Sequence, residues 1–307
     1  MKTLTVLMST YNGEKYIEQQ LESVANNVSD DLDIKVLVRD DGSTDGTIQK
    51  INSLTSKLPL EVKVITGHNV GVQKSFLDLI DKAPITDYYA FCDQDDFWAD
   101  DKAITIISKM NDYNFKPCVC ISNYNIVDKN LNVTFEKNYK QPLDYSVLKI
   151  LMANNIPGCI MVFNWELMKL LKENSPKNVP MHDVYVLLMA CLFGEIIHVP
   201  KILFSYRIHG NNAVGVQKKH LSIKHIIKQQ KKIMRRTSDE SAATLARYCL
   251  SLYKNRLSVE KIKELEIVAN SDSKLKYKLK LLRQNEIYVN SIRTNLLLVE
   301  RVLLGKK

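Results

Sequence analysis

Tyr88-Tyr89-Ala90-Phe91-Cys92-Asp93-Gln94-Asp95-Asp96-Phe97-Trp98 is the stretch on which the fold turns. Its first five residues are apolar and β-prone and read as a strand, and the run breaks into a cluster of carboxylates at Asp93. Similar short β-rich runs stand at 4–9, 34–39, 62–66 and 119–122, separated by helical patterns at about 14–27, 44–54, 72–82 and 101–111. Strands alternating with helices are the sign of βαβ units, so a mainly parallel sheet with right-handed crossovers is expected. In open α/β sheets ligands bind outside the carboxyl ends of the strands, which directs attention to the residues just after each one.

Three of those positions carry chemistry. Ser9-Thr10-Tyr11-Asn12-Gly13-Glu14 follows the first strand, Asp40-Asp41-Gly42-Ser43-Thr44-Asp45-Gly46 the second, and Asp93-Gln94-Asp95-Asp96 the fourth. Alternate residues of an extended segment share a face, which predicts that Asp93 and Asp95 point the same way with Asp96 beside them. Three carboxylates there repel one another without a partner, and a hard divalent cation with oxygen ligands is the natural one. The competing reading is an acidic turn that caps the next helix. In the second loop Ser43 or Thr44 is the expected helix N-cap. That reading leaves the adjacent pair Asp40 and Asp41 unexplained. Asp41 suits a base imide N–H, and Tyr11 can stack on the same ring. Neither GxGxxG nor GxxxxGK[ST] is present, so dinucleotide oxidoreductases and P-loop NTPases lose their entry motifs.

Past residue 123 the pattern is mixed, with a turn at 128–132, helices near 143–152 and from 183, and strands at 159–164, 196–199 and 202–207. The longest apolar run, 184–193, is about half of the ~18–20 residues needed to cross a bilayer and reads as a buried helix. The start of the chain lacks an apolar leader with a cleavage site, and six scattered cysteines fit a reduced protein, so a cytoplasmic protein is expected. Cys118 and Cys120 are too close for a CxxC motif and are expected on one face of a strand.

Thr10-Tyr11-Asn12-Gly13, Asp40-Asp41-Gly42-Ser43-Thr44-Asp45-Gly46 and Asp93-Gln94-Asp95-Asp96-Phe97-Trp98, in this order and spacing, resemble family 2 glycosyltransferases. Met181-His182-Asp183 and Tyr206-Arg207-Ile208-His209-Gly210-Asn211-Asn212 resemble the bacterial rhamnosyltransferase-like branch, which builds cell-surface polysaccharides. The resemblance covers residues 1 to about 216. It implies a GT-A fold: an α/β, Rossmann-like, mostly parallel central sheet with flanking helices, here followed by a basic helical C-terminal region. It also implies a nucleotide-sugar donor, dTDP-rhamnose or a UDP-hexose, and a manganese or magnesium ion. By position, Thr10, Tyr11, Asn12, Asp40, Asp41, Asp93, Lys74 and Arg207 fall on the donor side. Asp95, Asp96 and His209 are the metal candidates. Gly158, Cys159 and His182 fall on the acceptor side, and Asp183 is the catalytic base. Family members often carry Glu-Asp where this chain has His182-Asp183. Apart from the resemblance, inverting transfer needs one carboxylate to take the acceptor's proton, and Arg207 suits a phosphate fork.

The formal charge of +9 is unevenly spread: residues 1–216 hold 21 basic and 26 acidic side chains, net −5, and 217–307 hold 22 and 8, net +14. A catalytic domain over 1–216 and a basic extension over 217–307 follow as the expected division. Lys218, Lys219, Lys224, Lys228, Lys231, Lys232, Arg235 and Arg236, with His220 and His225 interleaved and isoleucines on the other helix face, form a pattern for an anionic membrane surface or a partner. A solvated helix packed on the catalytic body is the plainer reading. The apolar stretch at 296–304 suggests packing, a homodimer or shallow membrane contact. A sugar nucleotidyltransferase would want a basic Gly-rich loop after the first strand, and a nucleic-acid-binding protein would leave the carboxylates unexplained. The expected enzyme is an inverting glycosyltransferase peripheral to the inner face of the cell membrane, with a glycan or lipid-linked acceptor.

Overall fold

The computed structural model describes residues 1–139, 145–209 and 241–288, with 295, 296, 298, 299, 302 and 303. The basic segment 218–236, and Gly210, Asn211 and Asn212, lie outside the described residues.

The described chain forms two compact units. The first comprises 1–143, 156–175 and 194–215, and the second 144–155, 176–193 and 216–307. The division is therefore not a single cut at residue 216, because two earlier segments group with the C-terminal part. It is sequence-distant packing, invisible to charge bookkeeping, that draws them there.

The first unit is built on a nine-stranded sheet of β1 (Lys2–Thr10), β2 (Leu32–Asp40), β3 (Glu61–Thr66), β4 (Tyr88–Asp93), β5 (Phe97–Trp98), β6 (Cys118–Val127), β7 (Val133–Lys137), β8 (Met161–Asn164) and β9 (Glu195–Arg207). Its order is β3-β2-β1-β4-β8-β6-β9-β5, with β7 paired to β6. β1, β2, β3 and β4 pair in parallel, as the alternation predicts. β8 runs antiparallel to both β4 and β6, β5 runs antiparallel to β9, and β6 and β9 are parallel. The sheet is therefore parallel from β3 through β4 and mixed beyond β4.

Helices α1 (Ile17–Ala25), α2 (Thr47–Thr55), α3 (Val72–Lys82), α4 (Lys102–Met110) and α6 (Trp165–Glu173) belong to this unit. α3 has the expected bounds, and the others start or stop a few residues from expectation. α2 opens at Thr47, so neither Ser43 nor Thr44 caps it; the Asp45 carboxylate accepts the Thr47 N–H at 3.1 Å instead. β9 runs unbroken where two strands were expected. Its register against β6 slips between Ser122 and Asn123, and this irregularity accommodates Pro200. β5, β7 and α6 were not foreseen. β5 is too short to show a period, β7 is almost wholly exposed, and α6 follows its strand without a linker, capped by the Asn164 side chain at 3.1 Å from Leu167 N.

The core of this unit holds Leu4, Val6, Leu7, Tyr89, Phe91 and Phe163, all with 0% exposure. Cys118 and Cys120 sit buried on one face of β6, and none of the six cysteines is bridged.

The second unit is helical: α5 (Val147–Ala153), α7 (His182–Phe193) and helices Ala242–Tyr253, Val259–Asn270 and Leu275–Leu282. The run 184–193 is the buried helix expected, with Val186 to Ala190 fully covered. Glu264 accepts the Val147 N–H at 3.2 Å, Lys261 reaches the Leu192 carbonyl at 3.1 Å, and Phe193 meets Tyr253 edge-on at 5.1 Å. Among the described residues no helix is long and apolar enough to cross a membrane.

Candidate active site

Parallel pairing of β1 with β2 and β4 brings three loops to one sheet edge, since Thr10 lies opposite Asp40 and Ser9 opposite Asp93. Asp40 is buried and organises its own turn: it accepts from Gly42 N at 3.1 Å, Ser43 N at 2.8 Å, Ser43 Oγ at 2.5 Å and Thr10 Oγ1 at 3.0 Å. Its carboxylate shapes the loop, which places Asp40 behind a ligand surface rather than on it. Asp41, also buried, is held by Arg39 and accepts from Val70 N at 2.8 Å and Gly71 N at 2.9 Å. A carboxylate has about four lone-pair directions, so Oδ2 retains capacity for a further donor. Asn12 is left-handed at φ 49°, a conformation that asparagine tolerates, and its Oδ1 accepts Thr44 N at 2.8 Å. Tyr11 is 47% exposed and available for stacking, and Lys74 stands exposed on the first turn of α3.

Gln94, which the sequence reading passed over, clamps the first loop to the third. Its amide accepts Tyr11 N at 2.8 Å and donates to Tyr11 O at 3.0 Å. Gly13 makes room for that amide, for a Cβ there would lie 2.1 Å from Gln94 Oε1. The only cue in the sequence was a neutral amide within an acidic run.

The carboxylates are arranged differently from expectation. β4 ends at Asp93 and the chain turns through Gln94 and Asp95, so alternation no longer governs which residues face together. Asp93 groups instead with Asp96 and the Cys159 thiol, their ligand atoms all within 4.8 Å of one another. Asp95 turns to His209, 2.7 Å from Oδ2 to Nε2. Asp96 is 1% exposed; Oδ1 accepts Arg207 N at 2.8 Å, while Oδ2 is buried without a hydrogen-bond partner. Burial first, and the neighbouring Asp95 and Asp93 next, push its carboxyl well above the usual range.

Arg207 departs from the phosphate fork expected of it. It is 1% exposed, and its guanidinium donates to Asp95 O at 2.7 Å, Lys129 O at 3.0 Å and Gln19 Oε1 at 3.0 Å while lying 4.7 Å from the Tyr16 ring centre. These contacts fix the carboxylate loop against β9. Tyr16 also stacks on His209 at 4.7 Å, holding that imidazole beside Asp95.

Gly158 and Cys159 were expected to face an acceptor, but both are buried in a one-turn helix ahead of β8. The Cys159 carbonyl accepts from Lys102 Nζ at 2.9 Å. Lys102 has 0% exposure and lies 3.8 Å from the Trp98 ring centre and 4.7 Å from that of Phe204. Burial lowers its ammonium to about 8, with Asp96 among the groups opposing the shift. A lysine at the first position of a helix carries no signal of burial, so Lys102 was not legible.

Asp183 and His182 belong to the second unit, in the first turn of α7. The helix already includes His182, so Asp183 is not its N-cap; Asp183 Oδ1 is 2.6 Å from Val184 N and the side chain is partly exposed. His182 is buried, and burial lowers its imidazole to about 3.

The donor set fits a hard divalent cation. The Asp93 and Asp96 carboxylates meet at the end of β4, Asp95 pairs with His209 in the adjoining turn, and a buried, unpartnered Asp96 oxygen is the kind of group that a cation satisfies. The Cys159 thiol, pushed well above its ordinary range by burial, is a neutral neighbour rather than a thiolate ligand.

This sheet order, with its three loops at one edge, defines a GT-A glycosyltransferase fold. The TarS fragment 1–349 of S. aureus, solved in complex with UDP-GlcNAc, superposes with a TM-score of 0.57 at 19% identity, over 100% of this chain and 93% of that one. The mannosyltransferase PcManGT from Pyrobaculum calidifontis, solved with GDP-Man and Mn2+, gives 0.52 at 17% identity, over 99% and 88%. Residues 5–173 match the Glycosyl transferase family 2 profile, more than half of the chain, and the chain belongs to that family. Its relatives include the dTDP-rhamnosyl transferase RfbG of Shigella flexneri, 28% identical over 223 residues that span 68% of this chain and 73% of RfbG. The Mycobacterium bovis protein Mb1547 is 26% identical over 217 residues, and the chain spans 59% of its length.

Proposed function

We propose that the chain is an inverting, metal-dependent rhamnosyltransferase that transfers rhamnose from dTDP-rhamnose to a growing cell-surface polysaccharide or a lipid-linked oligosaccharide. The observation that carries this is the meeting of the Asp93 and Asp96 carboxylates at the end of β4, with Asp95 paired to His209 in the adjoining turn, beside the loops that hold Asp41 and Tyr11. The similarity to RfbG favours the donor. A UDP-hexose is the second reading, favoured by the likeness to TarS with UDP-GlcNAc.

In this reading Tyr11 stacks on the base, and Asp41 Oδ2 accepts its imide N–H. Asp93 takes the ribose, and Lys74 meets the donor phosphates. Asp95 and His209 hold manganese or magnesium with Asp96, and the cation supplies charge neutralisation for the departing diphosphate. Asp183 takes the proton of the attacking acceptor hydroxyl, and one carboxylate suffices for that role. Gly158, Cys159 and His182, being buried, support the acceptor side without touching it. The enzyme works peripherally on the inner face of the cell membrane, where a lipid-linked acceptor would be found.

Thermal-shift and turnover measurements with dTDP-rhamnose, UDP-galactose and UDP-glucose, each with manganese or a chelator, test the proposal. Stabilisation and turnover with dTDP-rhamnose that the chelator abolishes are expected, and turnover of a UDP-sugar alone would replace the donor. Asp183→Asn should abolish transfer and leave donor binding within about twofold. Loss of donor binding would move Asp183 to the nucleotide site.

A further inference from the structure

Helix Leu275–Leu282 shows a composition that its packing does not require. From Ser273 to Gln284 the chain holds Lys274, Lys276, Lys278, Lys280 and Arg283 and no acidic residue. Leu281 is fully buried and anchors the helix within the second unit, and Ile287 is buried just beyond it. The opposite face is turned to solvent, yet it carries Leu275 at 66% and Leu279 at 46% exposure, one helical turn apart. At 100° per residue, Arg283, Lys276 and Lys280 form a ridge directly alongside those leucines, and all three are exposed. Lys278 Nζ reaches the carbonyl of Leu303, another leucine with 46% exposure.

Single exposed apolar residues are ordinary and mean nothing alone. Two leucines in register beside an unbroken cationic ridge are the pattern of a helix lying in a lipid–water interface, its leucines entering the acyl boundary and its lysines at headgroup level. We propose that the face formed by Leu275, Leu279, Lys276, Lys280 and Arg283 is the element that docks on an anionic phospholipid leaflet. Charge decides among occupants. A second copy would set this ridge against an equally cationic one, whereas a leaflet of anionic headgroups complements it along its length. The inference deepens the peripheral location proposed above by naming its surface, and it lies outside the segment 218–236 that the sequence singled out.

Co-sedimentation of the full chain with phosphatidylcholine vesicles, with and without phosphatidylglycerol, tests it apart from any sugar transfer. Binding only to the anionic vesicles, weakening as salt rises, is expected. The triple variant Lys276→Gln/Lys280→Gln/Arg283→Gln should lose on the order of a hundredfold in partitioning, the combined effect of three basic contacts. Leu275→Ser/Leu279→Ser should also bind less tightly with every charge kept. Both are surface variants, and unchanged circular dichroism and melting would confirm that they fold. Wild-type binding retained by the triple variant, or equal binding to neutral vesicles, overturns the proposal. So does a dimer, seen by light scattering, that the leucine variant dissolves, since the face would then belong to a second copy. Absence of dTDP-rhamnose turnover would sink the proposed reaction and leave this result standing.

Discussion

Asp96 shows how a single residue can be set against its surroundings. A fully buried carboxyl beside two others is unfavourable for folding, and natural chains keep such groups where a ligand repays the strain. Asp96→Asn keeps an oxygen for the Arg207 N–H and removes the like-charge repulsion. The metal-free variant should melt no lower than the parent, while metal-dependent turnover falls by about 10- to 100-fold. Differential scanning fluorimetry beside a manganese titration checks both halves. Lys102→Met removes a buried donor and leaves the Cys159 carbonyl unpaired, an expected loss of about 1–3 kcal/mol in urea unfolding. His182 gives a pH signature. Its folded-state value, about 3, lies below the ordinary 6.5, so its contribution is fully present above 6.5 and is lost as the pH falls towards 3. Stability should drop by about 1.4 kcal/mol per pH unit in that window, and His182→Gln should flatten the slope. Of these residues the sequence pointed to Asp96 through its motif and to His182 through its neighbour Asp183. Lys102 was hidden, since nothing in its local pattern distinguishes a buried lysine from a solvated one.

At the scale of the element, β1 to β4 and the helices between them were readable because buried strands and amphipathic helices keep their periods. The turn after β4 was not, because a two-residue bend cancels alternation and regroups the carboxylates. The loop after β2 depends on Gly42 at φ 81°, which lets the Gly42 and Ser43 N–H groups converge on Asp40. A Cβ there would also lie 3.2 Å from the Gly67 carbonyl oxygen. Gly42→Ala should therefore cost about 1–2 kcal/mol in chemical denaturation and weaken nucleotide-sugar binding through Asp41 next door.

Over the whole molecule, the charge split pointed to the C-terminal region and gave no sign of that region's earlier partners. α5 and α7 precede it in sequence and pack with it: Val147 bonds to Glu264, Leu192 to Lys261, and Phe193 meets Tyr253. A chain truncated after residue 216 should for that reason fail to yield a soluble, cooperatively melting product. Size-exclusion chromatography and calorimetry would show this, and a well-behaved monomer would contradict it. The same interleaving bears on biosynthesis. α7, a helix apolar nearly all round, leaves the ribosome about sixty residues before the helices that cover it. At about 5–20 residues per second it waits several seconds without them. The nascent chain thus offers a chaperone a target that the finished enzyme conceals, and slowing translation between α7 and Ala242–Tyr253 should lower the yield of active protein more than slowing it anywhere within β1 to β4.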